Sequence, residues 1–194
     1  MSLFEGMAGS SHVHVRKLTQ EPREKDDFYK TPPASVRALL AVERFSGTIH
    51  EPACGDGAIS ETLKNESGFE VISEDLIDRG YGLGGRDFLL RQDRACETLI
   101  TNPPFKLADE FALHAFSLGY EHVALFARLA WLEGAARHQK LWEPYPPSRI
   151  WVFSKRQTLW RGDQTNDSGA SGAIAFAWFV WQKGHHGPNL EWLS

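Results

Sequence analysis

The segment Asn102-Pro103-Pro104-Phe105 limits the chemistry of this chain more narrowly than any other. A residue before proline is pushed out of the helical region, which applies to both Asn102 and Pro103, so the segment is stiff and extended. Neither proline has an N–H, so the main chain offers acceptors here, and Asn102 adds a side-chain carbonyl. An aromatic ring follows at once. Two carbonyls accepting from an exocyclic NH₂, with Phe105 stacked on the ring, would suit a base extruded from nucleic acid. An isolated Pro-Pro-Phe would serve equally well as a rigid turn with a core aromatic. Here it ends the apolar run Thr98-Leu99-Ile100-Thr101, the place where open α/β sheets put their sites.

A second candidate is the turn Glu51-Pro52-Ala53-Cys54-Gly55-Asp56-Gly57. Gly55 and Gly57 let a ligand approach the backbone where strand gives way to helix. The lysine and hydroxyl of a phosphate loop are missing, and so is the third glycine of a dinucleotide fingerprint. Glu51 would repel a pyrophosphate but suits a cationic amine. Asp75 follows Glu51 by 24 residues, close to the spacing at which doubly wound folds set a carboxylate on ribose hydroxyls. Glu74 competes for that role, because a one-residue register shift exchanges the two.

Other chemistries find little support. Cys54 and Cys96 have neither metal-ligand spacing nor a disulfide framework, and the eight histidines form no ligand set, so no metal is expected. No apolar run approaches the roughly 20 residues that span a bilayer, and no signal-peptide pattern opens the chain, so a cytoplasmic location is expected. A net charge of −4 argues against a protein that coats nucleic acid unselectively. The charge is uneven, however. Arg128, Arg137, Lys140, Arg149, Lys155, Arg156 and Arg161 face only Glu133 and Glu143 within residues 128–161, giving that stretch +5 and the remainder −9. A solvated face would explain this, and so would a surface for phosphates.

The elements that must position these residues alternate. Thr31-Pro32-Pro33 opens a helix with Val36, Leu39, Leu40 and Val42 at helical spacing. Strands are expected at 48–50, 69–73, 98–101, 122–127, 150–154 and 173–181, with helices at 58–64 and 108–118 and a polar loop at 155–171. Residues 1–26 read as a flexible leader and 27–194 as one domain. The order βαβ…βαβ with a closing strand pair argues for a mostly parallel, helix-covered sheet.

With these segments in view, the chain resembles the amino-group DNA methyltransferases that modify adenine N6 or cytosine N4. The 51–57 turn looks like their acid-Pro-x-x-Gly-x-Gly cofactor motif, and Asn102 to Phe105 like their catalytic tetrapeptide. Asp27-Phe28-Tyr29-Lys30-Thr31-Pro32 is similar to the segment closing over the methionine end of the cofactor. Arg86-Asp87-Phe88 resembles the stretch whose Asp contacts the cofactor adenine and whose Phe packs on it. The resemblance implies a Rossmann-like S-adenosyl-L-methionine-dependent methyltransferase fold, a mostly parallel seven-stranded sheet with a reversed edge strand.

It further implies a cofactor site of Tyr29, Thr31, Glu51, Pro52, Ala53, Gly55, Gly57, Asp75, Asp87 and Phe88, and catalysis by Asn102, Pro103, Pro104 and Phe105. The expected substrate is N6 of adenine in double-stranded DNA with the base flipped. Arg128, Arg137, Lys140, Lys155, Arg156 and Arg161 are expected to hold phosphates. The chain departs from the family in lacking a separate target-recognition domain. Readout would fall to residues 131–149, the 155–171 loop or a partner subunit. Methylation of adenine N6 or guanine N2 in RNA, and a non-catalytic accessory role, are the alternatives.

Overall fold

The computed structural model describes residues 28–155, 157, 160–161, 174–185, 187 and 189–193. The expected leader, Asp27, Arg156 and most of the 155–171 loop lie outside them. Seven strands form the main sheet: β2 (Ile49–Glu51), β3 (Val71–Ser73), β4 (Thr98–Thr101), β5 (His122–Arg128), β6 (Arg149–Phe153), β8 (Phe176–Gln182) and β9 (Asn189–Leu193). Their order is β3-β2-β4-β5-β8-β6-β9. All run parallel except β8, which is antiparallel to both β5 and β6. The sheet is the expected mostly parallel one of seven strands, with one correction. Its reversed strand is inset rather than marginal, because β6 and β9 continue the sheet beyond it.

The strands in the middle of the sheet read as nearly continuous apolar runs because both faces are covered. In β5, Val123, Leu125 and Ala127 pack on one face, with α3 (Ala108–Ser117), and Ala124 and Phe126 on the other, with α1 (Pro33–Val42) and α2 (Ala58–Ser67). β8 alternates in the same way, Phe179 and Trp181 against Trp178 and Val180. Trp131, Leu141 and Trp142 extend the α3 layer over β8.

Helix ends follow their sequence signals. Pro33 sits in the first turn of α1, and Gly68 ends α2 in the left-handed region at φ 69°, its N–H reaching the Leu63 and Lys64 carbonyls. The chain moves from β2 to β3 on one side and then to β4 on the other. The order therefore reverses beside the carboxyl end of β2, which is where a ligand crevice opens. A separate two-stranded ribbon pairs β1 (Tyr29–Lys30) with β7 (Trp160–Arg161).

Buried charge is paired. Glu43, 5% exposed, accepts from Arg149 Nε at 2.5 Å and Nη2 at 2.8 Å and from Trp151 Nε1 at 2.6 Å. His50, fully buried in β2, lies 2.6 Å from the Tyr120 hydroxyl through Nδ1 and 3.0 Å from Glu74 through Nε2. Burial first of all pulls the His50 pKa down to about 4. The neutral ring then donates from Nε2 to Glu74 and accepts at Nδ1 from Tyr120. No helix among the described residues is long and apolar enough to cross a membrane.

Candidate active site

At the carboxyl ends of β2, β3 and β4 lies a cavity of about 490 Å³, a size common for small-ligand sites. Glu51 to Cys54 line it from β2 and its turn, Asp75 to Ile77 from beyond β3, and Asn102 and Pro104 from beyond β4. Phe28 to Thr31 close it on another side, and Asp87, Phe88 and Phe111 form more of its wall. The loop after β3 folds back to bring Asp87 near Asp75. Leu83 N–H donates to the Ser73 carbonyl at 2.9 Å, and Arg86 N–H to the Asp75 carbonyl at 2.9 Å.

The rivalry between the two acids after β3 is resolved by the pleat, since adjacent residues point to opposite faces. Glu74 turns inward to His50 and to Arg91 Nη1 at 2.6 Å. Asp75 lines the cavity, accepting from Gly55 N–H and from Ile77 N–H, each at 2.8 Å and each at a different carboxylate oxygen. An ionised carboxylate has about four acceptor positions, so Asp75 retains capacity for two hydroxyls.

Glu51 is 1% exposed, and Ser60 Oγ, itself 2.7 Å from Ser73 Oγ, donates to it. Burial, with Asp75 and Asp56 nearby, pushes its carboxyl well above the usual range, although the Ser60 bond acts the other way. Cys54 is buried, and this above all, with Glu51 and Asp75 adding to it, pushes its thiol up to about 12. A neutral thiol is a poor nucleophile.

The two glycines of the turn have a stricter role than leaving room for a ligand. Both are left-handed, at φ 56° and 90°. A Cβ on Gly55 would overlap the Phe28 ring, and one on Gly57 would lie 2.6 Å from Tyr81 ring atoms. The 28–31 segment is in fact tied across the site at every residue. Phe28 covers Gly55 and carries the Arg79 guanidinium 4.2 Å from its ring centroid. Lys30 Nζ lies 2.5 Å from Asp56. Tyr29 stacks on Phe105 with centroids 5.5 Å apart, and Thr31 Oγ1 and the Tyr29 carbonyl both accept from Asn102 Nδ2. Asn102 Oδ1 is buried and lacks a partner among the described residues.

Of the expected catalytic residues, Asn102 and Pro104 line the cavity, whereas Pro103 is buried and Phe105 is half-buried beside it. The Phe105 ring has Arg128 over it at 4.5 Å and Phe176 at 5.8 Å. Of the expected cofactor residues, Tyr29, Thr31, Glu51, Pro52, Ala53, Asp75, Asp87 and Phe88 line the cavity, and Gly55 and Gly57 do not. Asp87 also accepts from Leu89 N–H at 2.9 Å, and Phe88, 4% exposed, packs on Phe111.

Among the basic residues, Lys140 and Lys155 are exposed, and Arg161 lies in β7. Arg137 is engaged with Asp109 at 2.7 Å and with the Trp131 and Glu133 carbonyls. Sequence reading passed over Leu76, Ile77, Arg79, Lys106 and Leu107, all of which line the cavity. Leu76 and Ile77 follow a strand end directly, and that position was the available signal.

The fold recurs in known proteins. No protein-family model and no curated protein sequence matches the chain. Solved structures do match. A type I restriction-modification methyltransferase subunit from Streptococcus thermophilus superposes with a TM-score of 0.57 at 12% identity, covering 84% of this chain and 47% of its own. This chain thus spans about half of that subunit's length. A putative RNA methyltransferase from Pyrococcus horikoshii also gives 0.57, at 19% identity over 84% and 91% of the two chains. A predicted O-methyltransferase from Agrobacterium tumefaciens gives 0.53, at 15% identity over 84% and 85%. The fold is that of the S-adenosylmethionine-dependent methyltransferases. These neighbours carry different acceptor classes in their names, so the methyltransferase fold leaves the acceptor to be argued from the site.

Proposed function

We propose that this chain transfers a methyl group from S-adenosylmethionine to the exocyclic amino group of a nucleic-acid base, N6 of adenine in DNA. The observation that carries this reading is Asn102: its amide nitrogen is held by the 28–31 segment, and its oxygen is a buried acceptor without a partner among the described residues. An unsatisfied buried acceptor is costly, so it calls for a donor, and an amino group is one.

The residues fit the donor molecule. Asp75 has acceptor capacity for ribose hydroxyls, Asp87 and Phe88 would flank the base of the donor, and an ammonium group bound beside Glu51 would draw its carboxyl into the ionised form. When bound, S-adenosylmethionine supplies an electrophilic methyl. Asn102 Oδ1, with the Pro103 carbonyl as a second acceptor, would draw the amino lone pair out of conjugation and hold the nitrogen in line. Positioning of this kind accounts for much of the acceleration available to such a reaction. Arg128, Lys140, Lys155, Arg156 and Arg161 would hold phosphates, and a partner subunit would add contacts for sequence selection.

The experiment is nucleoside mass spectrometry of duplex DNA, tRNA and rRNA after incubation with the protein and S-adenosylmethionine. Methylated adenine in DNA is expected. The Asn102→Ala variant should lose transfer and still bind the methyl donor in calorimetry. Methylation confined to RNA would move the substrate, and no transfer to any base would overturn the reading.

A further inference from the structure

Thr31 is 4% exposed, sits directly before the Pro32-Pro33 entry to α1, and places Oγ1 3.0 Å from Asn102 Nδ2. The Tyr29 carbonyl lies 3.1 Å from the same nitrogen. A main-chain carbonyl can only accept, so this contact fixes which end of the amide is nitrogen. Two acceptors from one short segment therefore hold the NH₂ end, and the carbonyl end is the one left unpartnered among the described residues.

The segment is itself firmly held. The Pro32 carbonyl accepts from Ser35 N–H at 2.8 Å, Tyr29 and Lys30 pair with β7, and Lys30 is tied to Asp56. Turned by 180° about its last torsion, Asn102 would present donors to a substrate amino group that also offers donors. Within the tetrapeptide no N–H holds the oxygen against that turn, and Pro103 and Pro104 have none to offer.

We propose that Thr31 is a positioning residue for Asn102, its hydroxyl oxygen holding the amide so that the carbonyl faces the substrate amino group. Thr31 thus acts through Asn102 and selects for acceptor substrates that donate hydrogen bonds. The inference rests on the reading of Asn102 given under Proposed function.

Thr31→Val keeps the shape of the side chain and removes the acceptor, whereas Thr31→Ser keeps the acceptor. Thr31→Val should lower kcat about tenfold, the worth of one hydrogen bond, with KM for nucleic acid and donor affinity within about twofold of wild type. Thr31→Ser should restore most of the kcat. In ¹⁵N-resolved NMR, the Asn102 side-chain NH₂ should be protected from solvent exchange in wild type and Thr31→Ser and lose that protection in Thr31→Val.

A wild-type kcat in Thr31→Val would overturn the inference. So would a loss that falls on donor affinity and is not restored by serine, which would make Thr31 a cofactor contact. If the wild-type chain methylates no base, the reading of the function fails, and the NMR comparison still decides whether Thr31 holds the amide.

Discussion

Adding one methyl group to Gly55 tests how the 28–31 segment is seated. At φ 56° a non-glycine residue costs about 1–2 kcal/mol in any surroundings. The new Cβ also overlaps the Phe28 ring, so the ring must leave. Phe28 is half-buried, worth about 1 kcal/mol or slightly more. It also loses the Arg79 cation–π contact, worth about 0.5–1 kcal/mol. Gly55→Ala should therefore cost about 3–4 kcal/mol, but only about 1–2 kcal/mol in a Phe28→Ala background, where the collision is gone. Urea unfolding of the four proteins measures the cycle. Donor affinity should fall with stability in Gly55→Ala, although the side chains of Asp75 and Asn102 are unchanged and the Gly55 N–H to Asp75 remains available. Equal costs of Gly55→Ala in the two backgrounds would refute the claim that Phe28 is seated on the turn.

Two further outcomes follow from buried ionisable groups. Glu43→Leu leaves Trp151 Nε1 without its acceptor and Arg149 with only the Gln182 side-chain carbonyl and no counter-charge, and should cost about 3–5 kcal/mol; a loss under about 1 kcal/mol would mean that Arg149 is solvated. His50 and His122 are both held down to about 4 by burial, so each binds a proton on unfolding once the pH falls below about 6.5. Their stabilisation is complete above that pH and is lost as the pH falls toward 4. Glu51, raised by burial, releases a proton on unfolding over the same window and opposes them. Net stability should fall as the pH drops from 6 to 5, and should fall more steeply in Glu51→Gln, where the opposing proton release is gone. Denaturant titrations at fixed pH read both slopes, and an unchanged slope in Glu51→Gln would show that Glu51 is ionised in the folded protein.

Segments whose signals are local were legible in the sequence. β4 occupies 98–101 as expected, because a short apolar run meets Pro103-Pro104 and can go no further. Glu51 and Asp75 were legible too, because strand ends carry them. β1 and β7 have two residues each, too few for any periodicity, and their pairing joins residues more than 120 positions apart. The fate of Arg137 and Arg149 was hidden for a related reason. A charge count shows that they are basic, but their partners Asp109 and Glu43 lie 28 and 106 residues away. Phe105 reads as a free stacking surface in sequence, and only packing shows Tyr29 and Arg128 already against it.

The inset position of β8 has a consequence for synthesis. Among the described residues β6 bonds only to β8 and β9, and both leave the ribosome after it. While residues 154–175 are being made, β6 has no neighbour to pair with and β5 presents an open edge. Three of the seven strands thus wait on the last fifth of the chain, a non-local assembly of the slow kind. A chain cut short before Phe176 would keep the residues of the crevice yet expose the apolar edge of β5, and such edges recruit other chains. Premature termination should therefore yield aggregate rather than a smaller soluble domain.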